Sequence, residues 1–253
     1  MFSEIINLFP QDFSKIQWLM LCVCAFLVGL NKTALPGVGI IVVPLMATFF
    51  LARASTGLLL PILALADLFA VAYYHRHANW RIIMKLLPAA ILGIAAGSFI
   101  IRRIDDETLR PIIGIIVLVM LALNYLREKH LKQDFSDSRM FAISMGFIAG
   151  ITTQLANAAG PVMAIYLLAM NLPKFEFIGT GAWYFLILNW LKMGIFATEG
   201  RITTQIIAAD IAMLPFIAAG AIFGIYILKK VPQKWFNIIV LVLAAAAAIK
   251  LLF

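Results

Sequence analysis

Long apolar stretches alternate with short polar loops along almost the whole chain. Many of the stretches reach about 18 residues, the length that an α-helix needs to cross the hydrocarbon core of a bilayer. The pattern therefore predicts an all-α polytopic membrane protein without a soluble domain. The predicted apolar segments are residues 16–51, 55–74, 82–101, 108–126, 140–171, 177–198, 204–228 and 234–253.

The amino-acid composition also indicates a membrane protein and argues against a soluble domain. The 253 residues are 64% hydrophobic and 13% charged, whereas a soluble domain is about half apolar and about a quarter charged. The net charge of +8 would suggest nucleic acid in a soluble protein, but here Lys and Arg concentrate in short loops, as membrane topology favours. We expect a lipid bilayer as partner, and no nucleic acid, cofactor or metal.

The longest polar loop, residues 127–139, separates two similar halves. The "FLVG" of residues 26–29 aligns with the "FIAG" of 147–150 at an offset of 121 residues. Later, "GIAAGSFIIRRI" (93–104) aligns with "GAIFGIYILKKV" (220–231) at an offset of 127 residues. Internal duplication of this kind is common in secondary transporters.

We predict an N-terminal repeat at 1–130 and a C-terminal repeat at 131–253, each with a broken first segment followed by three transmembrane helices. Residues 16–51 as one helix would be about 54 Å long, against a hydrocarbon core of about 30 Å. A break at "NKTALPG" leaves two arms of about 15 residues each, and residues 140–171 break similarly at "TTQLANAAG". A re-entrant hairpin, favoured here over a single crossing, would make the two halves inverted.

Polar residues gather at both predicted breaks. Backbone that leaves a helix inside a bilayer must be shielded by protein or line a wet cavity, and half-helix N-termini suit an anion. Lys32 adds a full positive charge, and neither tip contains an acid. The alternative is that the glycines and prolines only allow a kink and tight packing. We predict one anion site between the tips, with the substrate-binding residues Asn31, Lys32, Thr33, Pro36, Gly37, Gly39, Thr152, Thr153, Gln154, Asn157 and Gly160.

Three further residues are candidates for coupling transport to a proton or cation. Asp67 lies in the middle of an apolar segment, the repeat alignment places Asn189 opposite it, and Lys192 follows one turn later. The acid could pair with Lys32 or Lys192 and hold helices together, or it could load and release a proton during transport. Both interpretations remain open. Asp210 is expected to lie at the membrane interface.

Two glycine pairs have the small-xxx-small spacing that lets membrane helices approach closely. They are Gly93 with Gly97 and Gly220 with Gly224. Helix packing within the chain is the expected role, and a homodimer contact is the other.

The motif "FLVGLNKTALPGVGIIVVPLM" (26–46), the acid of "ADLFAVAYYHRHANWR" (66–81) and "LPAAILGIAAGSFIIRRI" (87–104) resemble the TauE/SafE family of membrane permeases. The resemblance covers nearly the whole chain and implies secondary transport of small sulfur-containing anions such as sulfite, sulfonates or sulfoacetate. By position, it also implies that the tip residues form the permeation region. The second tip lacks the lysine and the Pro-Gly-x-Gly order of the first.

We therefore expect a transporter in the bacterial inner membrane, not an enzyme, with a small anionic substrate. One alternative is a transporter of another small anion, a carboxylate or a cation. Another is a membrane subunit of a larger complex, which would need a cytoplasmic docking element. An intramembrane enzyme would need catalytic groups clustered at depth, and only Asp67 comes near this requirement.

Overall fold

The computed structural model describes residues 13–34, 39–105, 107–109, 111–112, 115–116, 118–119, 138–170 and 172–227. Within these ranges the regular structure is helical, with no β-strand. The predicted segment 234–253, most of 108–126, and the predicted site residues Pro36 and Gly37 lie outside the described residues.

Nine α-helices are used below. They are α1 (Lys15–Thr33), α2 (Gly39–Phe49), α3 (Ala52–Tyr74), α4 (Trp80–Ile101), α5 (Arg139–Ala156), α6 (Gly160–Ala169), α7 (Lys174–Thr198), α8 (Thr204–Ala212) and α9 (Leu214–Ile227).

The helical membrane class predicted from the apolar pattern is confirmed for the described part of the chain. The bent pair α8 and α9 counts as a membrane span if it is treated as one unit. Predicted segments 55–74 and 82–101 agree closely with α3 and α4. Three helices are long and apolar enough to cross a membrane by themselves: Lys15–Thr33, Arg53–His77 and Trp80–Ile101.

The first predicted break is present, and its two arms form an antiparallel hairpin. Gln17, near the start of α1, donates from Nε2 to the carbonyl oxygen of Phe49 at the end of α2, at 3.0 Å. At the opposite end of the pair, the backbone N–H of Gly39 donates to Oδ1 of Asn31, also at 3.0 Å. Both ends of the two arms therefore lie side by side, as expected for a hairpin.

A second antiparallel hairpin is formed by α5 and α6. The ring of Phe141, near the start of α5, lies 5.5 Å from the ring of Tyr166, near the end of α6. The turn begins at Asn157, whose φ of 53° is in the left-handed region. Asparagine tolerates this region better than most residues and often ends a helix there.

Two details of the predicted hairpins are wrong. The arms are unequal, with 19 and 11 residues in the first hairpin and 18 and 10 in the second. Helices α1 and α5 also continue into the predicted breaks, so residues 31–33 and 152–154 lie in final helical turns. Long helical arms are favoured because an unpaired backbone N–H or C=O inside a bilayer costs several kcal/mol.

The prediction of one helix over residues 204–228 is also wrong, because the chain bends by 46° between α8 and α9. Pro215 has no backbone N–H and cannot donate to the carbonyl group four residues earlier. The N–H of Met213 instead donates to the carbonyl oxygen of Asp210 at 3.1 Å, a bond of the tighter 3₁₀ type. The chain therefore changes direction after α8.

Glycines bring α1 into backbone contact with α9, and α5 into backbone contact with α4. A Cβ on Gly220 of α9 would lie 2.0 Å from the carbonyl oxygen of Phe26 on α1. A Cβ on Gly93 of α4 would lie 2.2 Å from the carbonyl oxygen of Phe147 on α5. Only glycine allows these separations, so the predicted packing role of Gly93 and Gly220 is confirmed.

The facing helices carry matching glycines. A Cβ on Gly29 of α1 would lie 2.1 Å from the carbonyl oxygen of Ile217 on α9. A Cβ on Gly150 of α5 would lie 2.1 Å from the carbonyl oxygen of Ala90 on α4. The α1–α9 and α4–α5 interfaces are therefore built in the same way.

Replacing Gly220 by alanine is expected to lower the thermal midpoint of the detergent-solubilised protein by several degrees. The added methyl group has no room at the α1–α9 contact, and overpacking a closed interface costs about 1–3 kcal/mol. Gly194→Ala is the matched control, since a Cβ at this position in α7 would meet no atom within 4 Å. Equal midpoints for the two variants would contradict the close contact.

The two hairpins meet beside a central pair of helices. Helix α3 packs along α7 and contacts both arms of the first hairpin, while α7 contacts α6 of the second. Helices α2 and α6 also contact each other. Polar side chains from both hairpins and from the α3–α7 pair are therefore brought to one place.

Candidate functional site

A buried ion pair joins the first hairpin to α3. The Lys32 ammonium lies 2.6 Å from Oδ1 of Asp67, and their side chains are 8% and 0% exposed. The other carboxylate oxygen accepts a hydrogen bond of 2.7 Å from Nδ2 of Asn189 on α7. The ammonium also lies 4.3 Å from the centre of the Phe185 ring.

The pair changes the expected role of Lys32. Its charge was expected to be available to a substrate, but the Asp67 carboxylate balances that charge. Helix geometry also favours a cation here, because Lys32 lies in the last turn of α1, where the helix dipole is negative. Of the pairings left open above, the structure contains Lys32 with Asp67.

A second lysine is buried without a carboxylate. Lys192 on α7 is 0% exposed. Its ammonium donates to Oγ1 of Thr153 at 2.9 Å and to Oδ1 of Asn157 at 2.6 Å, both on the second hairpin. Among the described residues, no carboxylate oxygen lies within 4.0 Å of this ammonium. The two hydrogen-bond acceptors of this ammonium group are therefore uncharged oxygens.

Asn157 connects the second hairpin to α3 as well as to α7. Its Nδ2 donates to the carbonyl oxygen of Thr56 at 2.9 Å while its Oδ1 accepts from Lys192. The left-handed backbone lets the N–H of Asn157 bond to the carbonyl groups of Thr152 and Thr153 at the end of α5. The same residue therefore ends the helix and orients the lysine.

A cavity of about 100 Å³ lies between the two hairpins, next to these lysines. A single water needs only about 10–15 Å³ of such space, so the cavity is large enough for a small ion of several atoms. Aliphatic and aromatic side chains, including Phe185, form the rest of its wall. The polar part of the wall comes from both hairpins and from α7: Asn31, Lys32, Gly39, Thr153, Asn157, Gly160 and Asn189.

Three of the predicted site residues bond elsewhere and do not line this cavity. Thr33 donates to the carbonyl oxygens of Gly29 and, across the α1–α9 interface, Ala221. Thr152 donates back into its own helix, and Gln154 donates to Oγ of Ser98 on α4 at 2.7 Å. These side chains tie helices together. The coupling candidates Asp67 and Lys192 lie behind the cavity wall and contact residues that form it.

A second buried charge cluster, which was not predicted from the sequence, lies at the end of α7. Residues 199–201 separate the predicted segments 177–198 and 204–228, yet the Arg201 side chain is only 4% exposed. Its Nε donates to a carboxylate oxygen of Glu199 at 2.8 Å, and its Nη1 donates to Oγ1 of Thr56 at 3.2 Å. The guanidinium also stacks 3.2 Å from the centre of the Phe196 ring. No local pattern distinguishes a loop Arg–Glu pair that is buried from one that is exposed.

Asp210, which was expected at the membrane interface, is buried within the protein, with 0% exposure. Neither carboxylate oxygen has a hydrogen-bond partner within the described part of the chain.

Comparison with known proteins agrees with the resemblance noted in the motifs. Residues 21–251 match the family described as Sulfite exporter TauE/SafE. No curated protein and no solved structure matches the chain. Because the family match covers nearly the whole chain, and the described helices are those of a membrane protein, this chain belongs to the TauE/SafE family of sulfite exporters.

Proposed function

We propose that the protein is a secondary transporter for small sulfur-containing oxyanions such as sulfite, sulfonates or sulfoacetate, and that it works in the bacterial inner membrane. Membership of the TauE/SafE family supports membrane transport as the general activity. The observation that carries the proposal is the cavity between the two hairpins, whose polar wall includes Lys32 and contacts the buried Asp67 and Lys192.

The balance of charge favours an anion over a cation. Lys32 and Asp67 cancel each other, which leaves the charge of Lys192. Burying a charge without a counter-ion is costly, and a bound anion would offset that cost. A cation would add to an excess of positive charge, so the arrangement disfavours it.

The reciprocal glycine contacts support two repeated halves, 1–130 and 131–253. Phe26 and Phe147 differ by 121 positions, and Gly93 and Gly220 differ by 127, the two offsets of the internal repeat. A two-fold axis through the α3–α7 pair would interchange the α1–α9 and α4–α5 interfaces. Such an axis in the membrane plane would invert the halves, and rocking one half against the other would expose the site to each side in turn.

Coupling is proposed to act through Asp67 and its partners. A proton on this carboxylate would cancel its charge and leave Lys32 without a counter-ion. The site would then hold an anion more strongly, so that proton and anion would bind together. Asn189 would sense the change through its hydrogen bond to the carboxylate, and Lys192 through its electrostatic interaction with the same group.

The test uses a variant that fills the cavity without disturbing the fold. A Cβ on Gly160 would meet no atom within 4 Å, and this residue lines the cavity. We therefore expect Gly160→Leu to fold normally but to lose sulfite or sulfonate uptake in proteoliposomes. It should also lose the anion-dependent rise in thermal stability, which is about 2.7 kcal/mol when the ligand is at 100 times its Kd.

Gly194→Leu is the matched control, since Gly194 also has open space but lies outside the cavity wall. It should transport like the wild-type protein. A substrate panel of sulfite, methanesulfonate, acetate and sodium alone separates the alternatives. Uptake of a cation without any anion, or full activity in Gly160→Leu, would rule out the proposed site.

A further inference from the structure

We propose that Lys192, and not Lys32, supplies the positive charge that the site presents to an anion, and that it does so as a positioning residue through Thr153. This inference rests on the proposed function, because it assigns the source of charge within the same site. It reverses the role expected for the two lysines, since Lys32 was the candidate anion ligand.

The two lysines differ in the charge of their partners. Lys32 forms an ion pair at 2.6 Å with the Asp67 carboxylate, which also accepts a hydrogen bond from Asn189. The partners of Lys192 are a hydroxyl and an amide oxygen, both uncharged. Lys192 is therefore the source of the excess charge at this site within the described part of the chain.

The charge of Lys192 acts on the cavity through its hydrogen-bond partners. Lys192 does not line the cavity, but both of its hydrogen-bond acceptors do. A hydroxyl that accepts from an ammonium group must direct its own proton elsewhere. No described residue accepts that proton, and Thr153 faces the cavity, so the Thr153 O–H is placed to donate to an anion there. The ammonium strengthens this donor by polarising it.

The hydrogen bonds of Asn157 hold the Lys192 ammonium group in a fixed position. Asn157 holds the ammonium through Oδ1 and is itself held through Nδ2 by the Thr56 carbonyl group on α3. Lys192 therefore has two fixed acceptors on the same hairpin tip, at 2.9 Å and 2.6 Å. A donor held in place before the ligand arrives loses little entropy on binding.

Removal of the hydroxyl and of the charge can be tested separately. Thr153→Val is expected to weaken methanesulfonate binding about 10- to 100-fold, the loss of one hydrogen bond to a charged group, while Thr153→Ser should remain within a few-fold of wild type. Lys192→Met should cause a similar or greater loss, with no decrease in the thermal midpoint of the ligand-free protein. Wild-type affinity in Lys192→Met or Thr153→Val would overturn the inference.

A second pair of variants isolates charge from structure and does not depend on whether Lys192→Met folds. Asn157→Asp places a carboxylate at the position that accepts from Lys192, and Asn157→Gly keeps the left-handed backbone without any side chain. Both variants lose the bond to Thr56, but only the aspartate neutralises the lysine. We expect Asn157→Asp to bind methanesulfonate at least about 10-fold more weakly than Asn157→Gly.

Equal affinity in the two Asn157 variants would show that the lysine acts only through structure and would overturn the inference. Calorimetry on the wild-type protein separates this failure from failure of the proposed function. If the wild-type protein binds no oxyanion, both proposals fail. If it binds one and the neutralised variants bind it equally well, only the assignment to Lys192 fails.

Discussion

Replacing Asp67 by asparagine is expected to destabilise the protein by about 3–5 kcal/mol, the usual cost of removing one partner of a buried ion pair. The substitution preserves the size of the side chain and leaves Lys32 buried with no counter-ion. Together with Lys192, the variant would contain two buried ammonium groups and no carboxylate beside them. The measurement is the thermal midpoint and denaturant midpoint of the purified protein in detergent.

The double variant Lys32→Met/Asp67→Asn provides the control. It removes both charges and retains the volume of each side chain, and such replacements of buried pairs are often neutral or stabilising. We expect it to recover most of the stability lost in Asp67→Asn. A double variant no more stable than the single one would contradict the ion pair as the cause.

The same stability measurement with an added anion tests where the anion binds. An anion in the cavity would restore charge balance in Asp67→Asn, so methanesulfonate should stabilise this variant more than it stabilises the wild-type protein. Equal stabilisation of the two proteins would argue that the anion does not bind near Lys32.

Replacing Glu199 by glutamine is expected to cost about 3–5 kcal/mol, because it leaves the buried guanidinium of Arg201 without a carboxylate. The arginine side chain stays protonated in proteins, so it cannot become neutral to avoid this cost. Within the described part of the chain, its other hydrogen bond is to the Thr56 hydroxyl and it stacks on the Phe196 ring, and neither group carries a charge.

The reverse substitution, Arg201→Met, is expected to cost less, about 1–3 kcal/mol. Glu199 has a second basic neighbour, since Nε of Arg102 lies 4.0 Å from Oε1. Arg102 is 67% exposed and is free to move closer once Arg201 is gone. Thermal midpoints of the two variants measure the asymmetry, and a larger loss in Arg201→Met than in Glu199→Gln would contradict it.

The hairpins could be predicted because their cause is local. The apolar segment 16–51, with 36 residues, is too long for one crossing, and polar and glycine-rich stretches within 16–51 and 140–171 mark where the two segments break. The register of the break was less accurate, because residues 31–33 and 152–154 have side chains compatible with either a helix or a turn. These residues remain helical because a turn there would leave backbone N–H and C=O groups unpaired.

The bend after α8 and the burial of Arg201 were not predicted, for different reasons. Pro215 was visible in the middle of the predicted segment, but a proline inside an apolar run is also compatible with one continuous membrane helix, as Pro61 in α3 and Pro88 in α4 show. The environment of Arg201 depends on α3, which supplies Thr56 from 145 residues earlier in the chain. The residues next to Arg201 in the sequence contain no signal for a contact with such a distant residue.

The amino-acid sequence by itself determined the helical membrane class, the two interrupted segments and the family, because each follows from hydropathy, length or a contiguous motif. The tertiary structure decided which lysine has a carboxylate partner. Lys32, Asp67 and Lys192 lie on three different helices, and the sequence allowed Asp67 to pair with either lysine. The pairing of buried charges depends on distances of a few ångströms between those helices, and only their packing sets these distances.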